Sequence, residues 1–472
     1  MIKPDFLWGG ALAAHQFEGG LFGTDKGLSV ADVLTAGSVD TPREITKGIV
    51  PGKHYPNHVG IDFYNRYEED IALIAELGLK CFRTSINWSR IYPKGDEKTP
   101  SEQGLLFYDK VFDCLLKHGI QPVITLSHFE MPYHLATEYG GFSNRKTIDF
   151  FLRFAKTCFK RYKDKVKYWL TFNEINNQMN FGSDLFGWTN AGCLFSTFDN
   201  PEETMYQSAH YQLVASALAV KAGKKINPDF QIGNMIALTP YYPINCHPDN
   251  ILYANERMHE KLMFCDVQVR GHYPNYALKY FEKQNFKLDI TKKDLKTLKK
   301  GTVDYIGFSY YMSNVVDVSV PRDKGALTSG VENPFTTETD WGWTIDPVGL
   351  RYTLNLLYER YEKPLFIVEN GFGAVDVLEE DGTCHDPYRI KYLKEHITEM
   401  KKAIEIDGVD VMGYTPWGII DCVSFTTGEM KKRYGMIYVD RNNDGSGSLK
   451  RYRKDSFDWY KNLIVQNGKG LL

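Results

Sequence analysis

Nowhere does this chain carry an apolar run close to the roughly 20 residues that cross a bilayer, so no membrane-spanning helix is expected. Excess charge is also scarce. The balance of 56 basic and 59 acidic residues leaves a net charge of −3, too little for broad attraction to nucleic acid or an anionic membrane. The 8 cysteines (Cys81, Cys114, Cys158, Cys193, Cys246, Cys265, Cys384 and Cys422) are scattered singly, with no C-x-x-C pair and no histidine at ligand spacing. That pattern argues against a zinc site or a disulfide framework and fits reduced thiols in a cytosol. No H-E-x-x-H motif occurs, and the G-x-G-x-x-G turn of an open dinucleotide-binding sheet is missing. No linker, repeat or low-complexity stretch divides the sequence, so residues 1–472 are read as one domain. The N-terminal MIKPDFLWGGALAA loosely imitates a signal peptide. Pro4 and Asp5 interrupt its flank, Gly9 and Gly10 weaken its apolar centre, and a single lysine precedes it, so a signal is not expected.

What the chain does have is a repeating alternation. Short apolar runs rich in β-branched and aromatic residues occur at 6–13, 80–86, 121–126, 166–172, 231–238, 303–310, 364–368 and 408–414. Between them lie amphipathic stretches at 62–77, 105–118, 144–162, 202–225, 347–361 and 387–406. In the first of these, Phe63, Tyr67, Ile71, Ile74 and Leu77 recur at helical spacing. Eight strands alternating with helices predict a closed parallel (β/α)8 TIM barrel, because each parallel crossover needs a helix. Long inserts at 24–60 and 182–201 would then build the active-site rim. The aromatic content of 14 % is high; most of it fills core, and some offers flat faces for sugar rings.

The informative pattern lies at the carboxyl ends of two strands. Strand four runs VKYWLTF into Asn173-Glu174, and strand seven runs PLFIV into Glu369-Asn370. One glutamate at a strand end is ordinarily a solvated loop residue. Two at matching ends are brought by barrel closure to a single mouth. Retaining glycoside hydrolysis uses such a pair, one carboxyl as nucleophile and the other as acid/base. The two pKa values must be pushed apart, which calls for a cation beside the nucleophile and burial around the acid. Arg83, placed at the end of strand two, is the candidate cation.

These residues resemble a known family. FLWGGALAAHQFEG, FRTSINWSRIYP, SHFEMP, LTFNE, DYIGFSYY, IVENGFG, GYTPWGIID and YGMIYVD follow one another as in a family 1 glycoside hydrolase, over almost the whole length. The resemblance implies Glu174 as acid/base and Glu369 as nucleophile. It also implies a sugar subsite lined by Gln16, His128, Asn173 and Trp417, with Tyr311 hydrogen-bonded to the nucleophile. Asn173 would meet the 2-hydroxyl, where contacts strengthen in the transition state. Trp343, with Trp341 beside it, resembles the family's aromatic platform for the leaving group.

One departure points to the substrate. Simple β-glucosidases of the family carry Glu-Trp seven residues after the subsite tryptophan, and here those positions are Ser424 and Phe425. Losing the carboxylate removes a charge that would repel a phosphate at the sugar's 6-position. Ser424, Lys432 and Tyr434 supply a hydroxyl, a cation and a phenol for a dianion. They resemble the phosphate signature of 6-phospho-β-glycosidases, with Lys431 as an alternative by one position. Related galactosidases tend to have tryptophan where Phe425 stands, and Phe425 has no N–H for an axial 4-hydroxyl. The expected substrate is therefore a phosphorylated disaccharide or aryl β-glucoside, hydrolysed in a bacterial cytoplasm without metal or organic cofactor. The rival readings are a 6-phospho-β-galactosidase, an unphosphorylated β-glucosidase, and a carbohydrate-binding pseudoenzyme on the same barrel. A homo-oligomer stays open. The sequence Asp440-x-Asn442-x-Asp444-Gly445 imitates a calcium loop, but Arg451 stands where a bidentate glutamate is needed, so a polar turn is expected.

Overall fold

The computed structural model describes residues 1–471. All eight expected strands form: β1 Leu7–Ala11, β2 Cys81–Ser85, β3 Gln121–Ser127, β4 Tyr168–Phe172, β5 Gln231–Ala237, β6 Ile306–Tyr310, β7 Leu365–Asn370 and β8 Val411–Tyr414. Each pairs in parallel with its neighbours in sequence, and β1 pairs with β8 to close a TIM barrel. The N-terminal apolar stretch is thus a stave of the barrel.

The main helix after each strand is α1 Phe63–Glu76, α2 Glu102–Lys117, α3 Lys146–Arg161, α4 Pro201–Ile226, α5 Pro248–Arg270, α6 Pro347–Tyr361, α7 Pro387–Glu405 and α8 Asp455–Val465. Their starts follow from local chemistry. Proline, which has no N–H to leave unpaired, opens α4, α5, α6 and α7. Ser101 Oγ caps α2 by accepting from Gly104 N, and Asp346 caps α6 by accepting from Gly349 N. Helices α5 and α8, and two shorter ones at Asn275–Lys283 and Lys292–Lys300, were not foreseen. The last is the lysine-rich KKDLKTLKK, and Leu298 is the only one of its apolar residues that is buried.

Inside the barrel, Cys81, Val123, Leu170, Met235, Phe366 and Val368 form an apolar plug. Side chains two apart on a strand share a face, so Arg83 and Thr125 stand one layer above Cys81 and Val123. This corrects the expected place of Arg83: it lies at the centre of β2, fully buried, at the floor of the mouth. A guanidinium there needs partners, because removing one partner of a buried pair costs about 3–5 kcal/mol.

Backbone irregularities cluster at the mouth. The β7 register against β6 shifts between Ile367 and Glu369, a bulge that sets Glu369 opposite Ser309. Glu174 and Phe129, just beyond β4 and β3, have φ of +40° and +70°, a left-handed strain typical of functional sites. The segment after Val439 is the turn of a hairpin between strands Ile437–Val439 and Arg451–Arg453, where Asp440 and Asp444 accept from Ser448 and Ser446. All eight cysteines are free thiols. No helix among the described residues is long and apolar enough to cross a membrane.

Candidate active site

A cleft of about 820 Å³, counting its open mouth, lies over the carboxyl ends of the strands. Gln16, His128, Asn173, Glu174, Tyr311, Trp343, Glu369, Trp417, Ser424, Phe425 and Tyr434 all line it. Of the expected residues, Arg83 and Lys432 lie just behind its wall.

Arg83 organises the floor. Its Nε donates to Thr125 Oγ1 at 3.0 Å, Nη2 to Asn173 Oδ1 at 2.6 Å, and Nη1 to Glu369 Oε1. The other oxygen of Glu369 accepts from Tyr311 Oη at 2.9 Å. Glu174 takes the hydroxyl of Ser309 on one oxygen and the amide of Asn177 on the other. Ser309 is the residue paired with Glu369 across the bulge, so the two carboxyls belong to adjoining positions of one wall.

Their electrostatic settings differ. Burial, then the charge of Glu369, pushes Glu174 up to about 8. Burial raises Glu369 as well, but the Arg83 guanidinium and the Tyr311 hydroxyl oppose that rise. The charge of Glu369 is itself one cause of the Glu174 shift, so the two carboxyls titrate as a pair. The arrangement gives one carboxyl a guanidinium partner and leaves the other with neutral donors alone.

Several polar atoms around this pair are left free. With its oxygen on Arg83, Asn173 keeps Nδ2 without a protein partner. Gln16 donates to the Val423 carbonyl at 2.7 Å, which leaves its Oε1 for the cleft. His128 Nε2 is 4.0 Å from Glu369 Oε1, and burial together with Arg83 and His15 keeps the imidazole neutral by holding its pKa well below the usual range. Trp417 is tied to the rim through its backbone N–H on the Asn370 carbonyl at 2.7 Å, and its ring lies 5.6 Å from that of His128. Phe425 packs on Phe129 at 4.8 Å.

The Ser424 loop turns tightly, with Ser424 N on Glu429 O at 2.8 Å, and Arg43 from the 24–60 insert donates to the Phe425 carbonyl at 2.8 Å. Lys431 is exposed, whereas Lys432 is 2 % exposed. Lys432 Nζ lies over the rings of Trp343 at 4.1 Å, Trp341 at 5.1 Å and Tyr434 at 5.7 Å. Burial lowers its pKa to about 7, against a small opposing pull from Glu429. Between Lys432 and Tyr434, Arg433 turns away to Asp421 at 2.8 Å, and Lys454 meets the same carboxylate at 2.8 Å. A Cβ on Gly373 would fall 2.8 Å from Lys432 Cε and 3.2 Å from Tyr434 Cζ, so the two side chains converge on that glycine. Among the described residues, Ser424 Oγ, Lys432 Nζ and Tyr434 Oη have no hydrogen-bond or ion-pair partner. Trp343 also packs on Tyr311 at 5.5 Å, so it borders the Glu369 side of the cleft.

Ser309, Thr125, Asn177 and Lys261 were not singled out from sequence. Ser309 stood inside the DYIGFSYY motif, but nothing marks its hydroxyl as a partner of Glu174 until β6 and β7 are paired. Lys261 lines the cleft from α5, an element not foreseen.

Comparison with known proteins agrees with this geometry. The family model described as glycosyl hydrolase family 1 matches residues 1–469. An aryl-phospho-β-D-glucosidase of Bacillus subtilis is 64 % identical over 100 % of this chain and 99 % of its own length. A 6-phospho-β-glucosidase of Clostridium longisporum is 51 % identical over 100 % and 98 %. The solved structure of a family 1 β-glucosidase from Thermotoga maritima superposes with a TM-score of 0.84 at 31 % identity, covering 98 % of each chain. On the barrel, the paired carboxyls and these matches, the chain belongs to glycosyl hydrolase family 1.

Proposed function

We propose that this protein hydrolyses 6-phospho-β-D-glucosides with retention of configuration, releasing glucose 6-phosphate. Glu369 attacks the anomeric carbon while Glu174 delivers its proton to the departing oxygen, so the glycosidic bond breaks as a glycosyl ester forms. Glu174, now a carboxylate, takes a proton from water; that water attacks the same carbon and frees Glu369. Arg83 and Tyr311 keep Glu369 charged and aimed. Asn173 Nδ2 meets the 2-hydroxyl, Gln16 and His128 meet other hydroxyls, and Trp417 lies under the ring.

The observation that carries the phosphorylated substrate is the trio of unpartnered donors, Ser424, Lys432 and Tyr434, at the place where an unphosphorylated-sugar enzyme of the family has a glutamate. A cation buried without an anion is costly, and a phosphate dianion would complete it. The phospho-glucosidase names of the two relatives support the same reading. Phe425, which offers no N–H, favours the equatorial 4-hydroxyl of the gluco sugar. Sugar phosphates of this kind arise on uptake into the cell, so the enzyme works in the cytoplasm. The test compares an aryl β-glucoside with its 6-phosphate. Faster turnover of the phosphorylated compound is expected, and faster turnover of the plain glucoside would end the idea.

A further inference from the structure

Across the cleft from the proposed phosphate site stands a second cation without a partner. Lys261, on α5, is 5 % exposed and lines the cleft beside the residues that follow β5. Four residues earlier on the same helix, Arg257 has an anion, Glu260, at 3.3 Å and donates to Tyr241 Oη at 3.1 Å. Lys261 Nζ makes no hydrogen bond or ion pair among the described residues, yet its charge is felt by both Glu174 and Tyr241. Close by, Asn177 spends its amide N–H on Glu174 and leaves Oδ1 buried without a donor. A buried polar atom with no partner is rare, and this one belongs to the same cleft lining as the unpaired ammonium.

That wall is the leaving-group side. Gln16 and Ser424 follow β1 and β8, whereas Lys261 borders the end of β5, on the other side of the closed ring. Glu174, which would protonate the departing oxygen, lies between the two regions. We propose that Lys261 and Asn177 form a leaving-group subsite for a hexose, the ammonium donating to one hydroxyl and the carboxamide oxygen accepting from its neighbour. A sugar offers both functions on adjacent carbons. An aryl leaving group offers neither and meets only apolar wall such as Leu238 and Met312. This inference deepens the reading above and rests on it for which sugar occupies the other half of the cleft.

The test measures kcat/KM of Lys261→Met and of the wild type on two substrates: a β-linked glucose disaccharide phosphorylated at C6 of its non-reducing ring, and phenyl β-glucoside 6-phosphate, whose leaving group has no polar substituent. Loss of a charged hydrogen bond predicts a fall of about tenfold or more for the disaccharide and less than about threefold for the aryl compound. Removing the cation also lets Glu174 keep its proton to higher pH, so the basic limb of the aryl profile moves up, which a merely structural role would not produce. Lys261→Gln, which retains a donor, recovers part of the disaccharide rate. Equal losses on both substrates, or none on the disaccharide, overturn the proposal. Should the phosphate reading fail, the unphosphorylated disaccharide and aryl glucoside give the same ratio, so the two ideas fall separately.

Discussion

Replacing Lys432 by methionine isolates the phosphate contact from the chemistry. Methionine keeps an unbranched stem under Trp343 and Trp341, where sulfur–aromatic contacts are favourable, so packing is largely preserved. What disappears is the cation. The bare attraction of two unit charges about 4 Å apart is about 4 kcal/mol at an effective dielectric of 20, and desolvation offsets part of it. Hydrogen bonds to charged groups contribute about 1.5–3 kcal/mol net, which sets the expected loss at about 10- to 150-fold in kcat/KM for a β-glucoside 6-phosphate. The plain glucoside should change by less than about threefold. A pH signature accompanies this. A phosphate monoester is mostly dianionic above its second pKa of about 6. Burial lowers Lys432 to about 7 in the empty site, so its charge is present below that pH and lost above it. The wild-type kcat/KM for the phosphorylated substrate should therefore begin to fall above pH about 7, before Glu174 loses its proton near 8. In the variant, only the limb near 8 remains. Initial rates of nitrophenol release from both substrates across this pH range decide the matter. Equal losses on the two substrates, or a basic limb that does not move, would refute the reasoning.

Three further outcomes are expected. Glu174→Gln removes the proton donor and lowers kcat by about 10²- to 10⁴-fold on poor leaving groups, with the basic limb near pH 8 gone from any residual rate; an intact limb would exclude Glu174 as the acid. Glu369→Gln abolishes labelling by a fluorinated glycosyl donor, read as the absence of a mass adduct on the intact protein, and persistent labelling would move the nucleophile elsewhere. Phe425→Trp introduces an N–H at the 4-hydroxyl and raises the galacto-to-gluco ratio of kcat/KM on the two 6-phosphates; equal wild-type values on the two sugars would remove the role assigned to this ring.

The barrel could be read from sequence because its staves are fully buried and therefore written as compact apolar runs, each ending abruptly in polar residues. The same contrast exposed Glu174 and Glu369. Arg83 was recognised by type but placed one layer too high, since a strand's length cannot be judged from its apolar run alone. The inward face of α5 carries Arg257 and Lys261 where apolar residues would mark a helix, so the element and its cleft residue were missed together. Lys431 and Lys432 could not be separated because they sit in an irregular loop with no period to assign a face. Only the packing of Lys432 under two tryptophans distinguishes them.

The three-way grip of Arg83 has a further consequence. One rigid, planar fork fixes the position of an oxygen on Glu369 and also decides which end of the Asn173 amide looks outward. Attack on the anomeric carbon and reading of the neighbouring hydroxyl are thereby geared to the same part. On the roles proposed for Glu369 and Asn173, a change that tilts the guanidinium would disturb bond-making and stereochemical discrimination together.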